Sequence, residues 1–331
     1  METQWILRTS GDPLAAVQRF LRDIWARGGL TGMLAPYRSP NTSAVTLRLA
    51  QESRHFDNVD PFAPVMLDNA AETVVELARQ HSTEHYGAVL RPCDARALFS
   101  IAKREYFRLD HFVVVGADCL ATYLAEEYEW RVRKWGGPEH LTREALRFAR
   151  QGGILGYRNR PACQMCASPM PEAVDVSIGL LGLPIRQYIL VTARNEAVAG
   201  RLQLDEITHG VAPREVIVQH DRMRATLAER HARVRDRMIR TLPGELPSDV
   251  YGLAEHLANC TPCQACLDAC PIYVDELAAG RSGGVSRDAV DRWLASCAGC
   301  GLCEDACPKH LPLTAVISRI SRGLQLGKVT A

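Results

Sequence analysis

Two stretches near the C-terminus repeat one cysteine spacing. Cys260, Cys263, Cys266 and Cys270-Pro271 fit C-x2-C-x2-C-x3-C-P, and Cys297, Cys300, Cys303 and Cys307-Pro308 fit it again. Three closely spaced thiolates can wrap one face of an iron–sulfur cubane. The fourth then points away, and the proline stops the chain from continuing as a helix. In two-cluster proteins with this run, the fourth Cys ligates the other cluster. The spacing therefore predicts two [4Fe–4S] clusters, one on Cys260, Cys263, Cys266 and Cys307, the other on Cys297, Cys300, Cys303 and Cys270. A pair of zinc sites is the competing reading. Zinc ribbons, however, use C-x2-C pairs separated by a loop and do not need runs of four ending in proline.

The chain has twelve cysteines, and Cys93, Cys119, Cys163 and Cys166 are the remaining four. Cys93 follows an apolar run, Tyr86 to Leu90, and Asp94 after it is expected to open a helix through Leu98 and Ile101. Cys119 follows a second apolar run, Phe112 to Gly116, with a helix expected over Leu120 to Trp130. Strand–helix repeats of this kind imply a parallel sheet, whose carboxyl ends form the crevice where α/β proteins bind ligands. Two helix N-termini there would stabilise an anionic cluster. Cys163-Gln164-Met165-Cys166 would add two ligands from a loop, giving a third [4Fe–4S] site. Two other readings stay open at this point. Cys93 and Cys119 can be small buried apolar residues, and Cys163 with Cys166 can be a redox dithiol.

Stepping outward from the cysteines, Asp12-Pro13 marks a helix start, followed by Val17, Phe20, Leu21 and Ile24 at helical spacing and ended by Gly28-Gly29. Ala44 to Leu49 reads as a strand, and Asn69 with Glu72 as a capping box leading a helix through Val74, Leu77 and Ala78. Further strands are expected at Val174 to Ile178, Tyr188 to Thr192 and Glu215 to Val218. Residues 221–240 read as a charged, solvated helix bridging two parts of the protein. Leu242-Pro243-Gly244-Glu245-Leu246-Pro247 is a linker by composition. The expected architecture is an α/β domain with a mostly parallel sheet over residues 1–242, then an α-helical ferredoxin domain over 243–331. In the second, helices through Val250, Leu253 and Leu257, and through Val290, Trp293 and Leu294 after a Ser286 cap, each run into a cysteine set. A last helix holds Val316, Ile317 and Ile320.

The segment from Cys260 onward resembles the helical two-cluster ferredoxins of heterodisulfide reductase and succinate dehydrogenase iron–sulfur subunits. Such modules pass single electrons between neighbouring cofactors. Much of residues 10–195 resembles the beta subunits of deazaflavin-coenzyme (factor 420) hydrogenases and formate dehydrogenases. The likeness is carried by Asp60-Pro61-Phe62-Ala63-Pro64-Val65, by Arg91-Pro92-Cys93-Asp94-Ala95-Arg96-Ala97-Leu98, by Gly116-Ala117-Asp118-Cys119, and by Cys163-x-x-Cys166 followed by Ala173-Val174-Asp175-Val176. That resemblance implies one [4Fe–4S] cluster on Cys93, Cys119, Cys163 and Cys166, and an FAD that exchanges hydride with the deazaflavin coenzyme or with NAD(P)H. No G-x-G-x-x-G is present. Gly28-Gly29-Leu30-Thr31-Gly32 and Gly152-Gly153-Ile154-Leu155-Gly156 are glycine-rich turns, so no flavin contact is assigned to a residue.

The rest of the composition narrows the function classes. A formal net charge of +1 with scattered basic residues gives no footprint for nucleic acid. No apolar run approaches the ~18 residues needed to span a bilayer, and no secretory signal opens the chain. The histidines lack a metal-ligand spacing such as H-E-x-x-H, His310 reads as a surface residue, and no serine nucleophile elbow is present. A cytoplasmic oxidoreductase subunit is expected. It would reach a membrane only through a partner, and its partners would be other redox subunits of formate dehydrogenase, hydrogenase or heterodisulfide-reductase type.

Overall fold

The computed structural model describes residues 3–39, 44–80, 83–105, 108–154, 159–260, 263–273 and 287–329. Its strands are β1 (Thr3–Arg8), β2 (Gly32–Arg38), β3 (Val45–Ala50), β4 (Tyr86–Leu90), β5 (Phe112–Ala117), β6 (Val176–Gly179) and β7 (Tyr188–Ala193). They form one sheet in the order β1-β7-β6-β5-β4-β2-β3. The central strands β2, β4, β5 and β6 are mutually parallel, and antiparallel pairs flank them at both edges.

The two central strands are apolar throughout, as a sheet covered on both faces requires, and their side chains alternate between two cores. Val113, Val115 and Ala117 of β5 join Val89, Val176 and Ile178 in one. There they meet helix α1 (Pro13–Arg27), whose Leu14, Val17, Phe20, Leu21 and Ile24 are buried. Phe112 and Val114 point the other way, with Tyr86, Ala88 and Leu90. On that side they meet α2 (Ala70–Gln80), α3 (Pro92–Arg104) and helices from the C-terminal part of the chain.

The remaining helices are α4 (Ala125–Trp135), α5 (Pro138–Arg147), α6 (Pro161–Gln164), α7 (Glu196–Arg201), α8 (Leu204–Ile207), α9 (Arg214–Arg240), α10 (Val250–Asn259), α11 (Ala265–Asp268), α12 (Arg287–Ser296), α13 (Leu302–Asp305) and α14 (Leu313–Val329). Leu253, Trp293 and Val316, from α10, α12 and α14, share one continuous apolar cluster with the sheet face and with Cys270, Cys303 and Cys307. The cysteine-rich segment therefore packs as a layer on the sheet.

Several expectations need correction. Glu215 to Val218 is the first turn of α9, not a strand. Val216-Ile217-Val218 has β-branched character, but Val216 N bonds the Pro213 carbonyl and its side chain is buried beneath the helix. Leu120 to Leu124 is not helical: Ala121 takes a left-handed φ of 76°, and α4 begins only at Ala125. The backbone of this segment bonds neighbouring loops: Leu120 O accepts from Ile154 N, Thr122 O accepts from Arg160 N, and Tyr123 N donates to Pro64 O. Asp94 does not open α3. Pro92 takes the first helical position, Cys93 the second, and the Asp94 carboxylate reaches back to Arg91 N at 3.1 Å. β6 starts at Val176 instead of Val174. The Ser286 cap lies outside the described residues.

Candidate metal centres

The outermost cysteine set is built by α10 and α11. Asp249 caps α10 by accepting from Gly252 N at 2.8 Å, and the helix ends on Cys260, whose amide bonds His256 O at 2.8 Å. Cys266 lies in α11, entered through the left-handed Gln264. Cys260, Cys263, Cys266 and Cys307 line one hollow with Leu257, Leu311 and Leu313. Burial pushes the Cys266 thiol up to about 11, reinforced by Cys307, Cys260 and Cys263 beside it. Lys309 Nζ stands 3.7 Å from Cys260 Sγ, and Cys263 is exposed.

The middle set repeats the device. α12 delivers Cys297, and α13, entered through the left-handed Gly301, carries Cys303. Cys297, Cys300, Cys303 and Cys270 line a second hollow with Trp293 and Gly301. Trp293 Nε1 donates to Cys270 Sγ at 3.2 Å. Burial pushes Cys297 up to about 11 and Cys300 up to about 12, and holds Cys303 well above the ordinary thiol value. The fourth cysteine of each run thus stands with the other run's three. Such shielded thiols keep their protons when unligated, so iron binding must expel them, and sulfur hydrogen bonds then tune the bound group.

The N-terminal set comes from three separate elements. Cys93 sits in the first turn of α3, Cys119 beyond β5, Cys163 in α6, and Cys166 after it. All four line one cavity of about 280 Å³. Cys119 is not at a helix N-terminus, and Cys163 comes from a helical turn instead of a loop. Burial pushes Cys119 up to about 12, helped by Cys163 and Cys166, and raises Cys93 and Cys166 as well. Thr122 Oγ1 is 3.3 Å from Cys163 Sγ. Arg96 reaches from α3 to three acceptors: Cys166 Sγ at 3.9 Å, Ser168 O at 2.9 Å and Ala298 O at 3.0 Å. Cys300 of the middle set also lines this cavity.

Two residues of the quoted motifs, Arg91 and Asp118, and several of α9 that no motif marked hold the N-terminal set in place. Arg91 Nη2 donates to Ala63 O and Val65 O at 3.2 and 2.6 Å, clamping the Asp60–Val65 loop. Asp118 accepts from Leu180 N and Leu181 N at 2.8 and 2.9 Å and lies 2.8 Å from His220 Nε2. Further along α9, His231 Nδ1 donates to Cys166 O at 2.7 Å and Arg235 Nη1 to Met165 O at 3.2 Å. Burial holds His231 below its ordinary value, which favours the neutral ring. The charged helix expected over 221–240 has only Leu227 fully buried and runs from this site to α14, where Asp236 pairs with Arg322. His220, Met223, Leu227, His231 and Val234 recur at helical spacing along it, and that periodicity was the available signal.

Leu155 and Gly156 of the second glycine turn lie outside the described residues, and the described glycines of both turns have structural roles. Gly28 caps α1, and a side chain on Gly152 would meet Leu227 Cδ2 at 2.7 Å. Helix ending accounts for the first and close packing for the second.

Residues 259–311 match the family described as the 4Fe-4S dicluster domain. The matched stretch contains all eight C-terminal cysteines. It supports two [4Fe–4S] clusters, and the hollows lined by its eight cysteines fit them in donor chemistry. The wider fold is similar to a chain from the xenon-derivatized F420-reducing [NiFe] hydrogenase complex of Methanosarcina barkeri. The TM-score is 0.51 at 12% identity, over 72% of this chain and 91% of that one. At such identity the likeness concerns the fold. No curated protein matches the sequence. Among the described residues, no helix is long and apolar enough to cross a membrane.

Proposed function

We propose that this chain is the iron–sulfur electron-transfer subunit of a multisubunit oxidoreductase, relaying single electrons through three [4Fe–4S] clusters. Cys93, Cys119, Cys163 and Cys166 would hold the third, beside the two of the dicluster domain, which we take to begin near residue 243. The observation that carries this reading is the position of Cys300, which borders both the middle hollow and the N-terminal cavity. Three thiol sets in a row suit a conductor better than three isolated structural sites. Bound clusters supply one-electron redox chemistry, with potentials set by burial and by hydrogen bonds to sulfur. The protein's part is to fix order and environment. Arg96, Trp293 and Lys309 each place a donor near one cysteine sulfur, and the apolar layer around α10, α12 and α14 excludes water.

The partners this reading calls for are a catalytic subunit of hydrogenase, formate dehydrogenase or heterodisulfide-reductase type and its acceptor, in the cytoplasm. A second reading adds an FAD that trades hydride with a deazaflavin or nicotinamide coenzyme. One observation favours it: the N-terminal cavity runs past its thiols to Gln164, Arg230, His231 and Val234. Anaerobic purification followed by iron, acid-labile sulfide and flavin assays tests both. About twelve irons and twelve sulfides per chain are expected. Stoichiometric flavin, retained or restored by adding FAD, selects the second reading, and zinc without sulfide overturns both.

A further inference from the structure

Arg160 is a charged side chain that the relay just described does not use. It caps α6 and is 1% exposed. Its Nε pairs with Asp305 Oδ2 at 2.5 Å, and its Nη1 approaches Met66 Sδ at 3.3 Å. Its Nη2 is buried with no acceptor among the described residues. A buried guanidinium donor is costly to leave unpaired, so an orphan of this kind points to a missing acceptor.

Its surroundings say where that acceptor belongs. Arg160 lines the N-terminal cavity together with Cys93, Cys163 and Cys300, and the sulfurs of all three act on its charge. The middle loop is pressed against it. A Cβ on Gly301 would lie 2.3 Å from Ala162 Cβ and 3.6 Å from Arg160 Nη2. Asp305, which offsets part of the charge, belongs to α13 between Cys303 and Cys307, and its side chain is 23% exposed. Arg96, the other cation between these two thiol sets, spends its donors on Ala298 O, Ser168 O and Cys166 Sγ. Arg160 alone of the two keeps a nitrogen free. It is absent from the lining of the outer hollow.

We propose that Arg160 is a positioning and tuning residue for electron passage between the N-terminal and middle sites. Its Nη2 donates to sulfur of the group held by the N-terminal cysteines, and its charge draws an added electron toward the two inner sites and away from the outer one. Reduction adds one negative charge, which a fixed nearby cation stabilises. No bond forms or breaks and the guanidinium keeps its proton. One site loses an electron and its neighbour gains it. This inference rests on the three-cluster reading for the N-terminal site.

The test is an anaerobic redox titration of the full chain followed by EPR, with signals assigned through Cys166→Ser and Cys263→Ser. Arg160→Met is expected to lower the midpoint potentials of the N-terminal and middle signals and leave the outer one in place. Asp305→Asn, which removes the offsetting charge, is expected to raise the same two. Arg160→Lys, keeping charge without the fork, should fall between wild type and Arg160→Met. It also guards against a Met variant that does not fold. Unmoved potentials, an equal shift at all three sites, or shifts of the same sign in Arg160→Met and Asp305→Asn would overturn the proposal. Iron content reads the underlying assignment separately. About eight irons in wild type would sink the third cluster, and the middle signal alone would then decide Arg160.

Discussion

The C-terminal and N-terminal thiol sets reach similar ends by different routes. Each C-terminal hollow draws three cysteines from one short run, turned by a left-handed residue and a single helical turn, with the fourth supplied by the matching run. The N-terminal set gathers Cys93, Cys119, Cys163 and Cys166 from a helix start, a strand end and an isolated turn. Local spacing writes the first kind. Only a folded sheet, clamped by Arg91, Asp118 and α9, produces the second. The difference predicts different vulnerabilities: the C-terminal sites depend on their own turns, and the N-terminal site on contacts far away in sequence.

The largest test of that contrast lies where the two kinds meet. Gly301 and Gly299 both have left-handed backbones, at φ 75° and 64°, but only Gly301 is crowded, against Ala162. Gly301→Ala should cost roughly 2–5 kcal/mol, combining backbone strain with overpacking. Gly299→Ala should cost about 1–2 kcal/mol from strain alone. Anaerobic thermal denaturation compares them, and equal losses would deny that the loop is pressed onto α6.

Next in size is Asp118→Asn, which weakens acceptors for Leu180 N and Leu181 N and the bond to His220. A loss of roughly 2–3 kcal/mol is expected, with iron lost from the N-terminal site alone. The pH dependence sharpens it. Burial works against a charged His220, but the adjacent Asp118 charge and hydrogen bond prevail and raise its pKa. The folded state therefore binds the proton more tightly than the unfolded chain. The pair's contribution is complete below pH about 6.5 and is lost as pH climbs through the raised value. Stability measured from pH 5.5 to 8.5 should show that decline in wild type and a flatter profile in Asp118→Asn. The smallest effect belongs to Asp249→Ala, which removes the cap of α10 at a cost of about 1 kcal/mol and should leave the N-terminal site untouched. Urea melts would register it.

How much of this was legible in the sequence follows the same division. The C-terminal pattern could be read because its ligands are close in the chain, and β4, β5 and α1 because their apolar periodicity matches their burial. β2 was hidden by Pro36, which argues against a strand, yet Pro36 lies past the stretch of β2 that pairs with β4, opposite Leu47 of β3. The irregular run Leu120 to Leu124 read as helix, but its backbone is claimed by neighbouring loops. Glu215 to Val218 misled because β-branched side chains fit a pleat as readily as the buried side of a helix. His220, His231 and Arg235 had no motif to announce them. Their roles exist only once α9 lies against Asp118, Gly179 and α6.

The proposed third cluster would be held by a tertiary contact set, not by a local run. The most direct measurement is iron and acid-labile sulfide per chain in anaerobically purified wild type and in the Cys93→Ala/Cys119→Ala variant. A fall of about four irons and four sulfides, with the EPR signals of the dicluster domain intact, is the expected result. Unchanged iron and sulfide in that variant would contradict it.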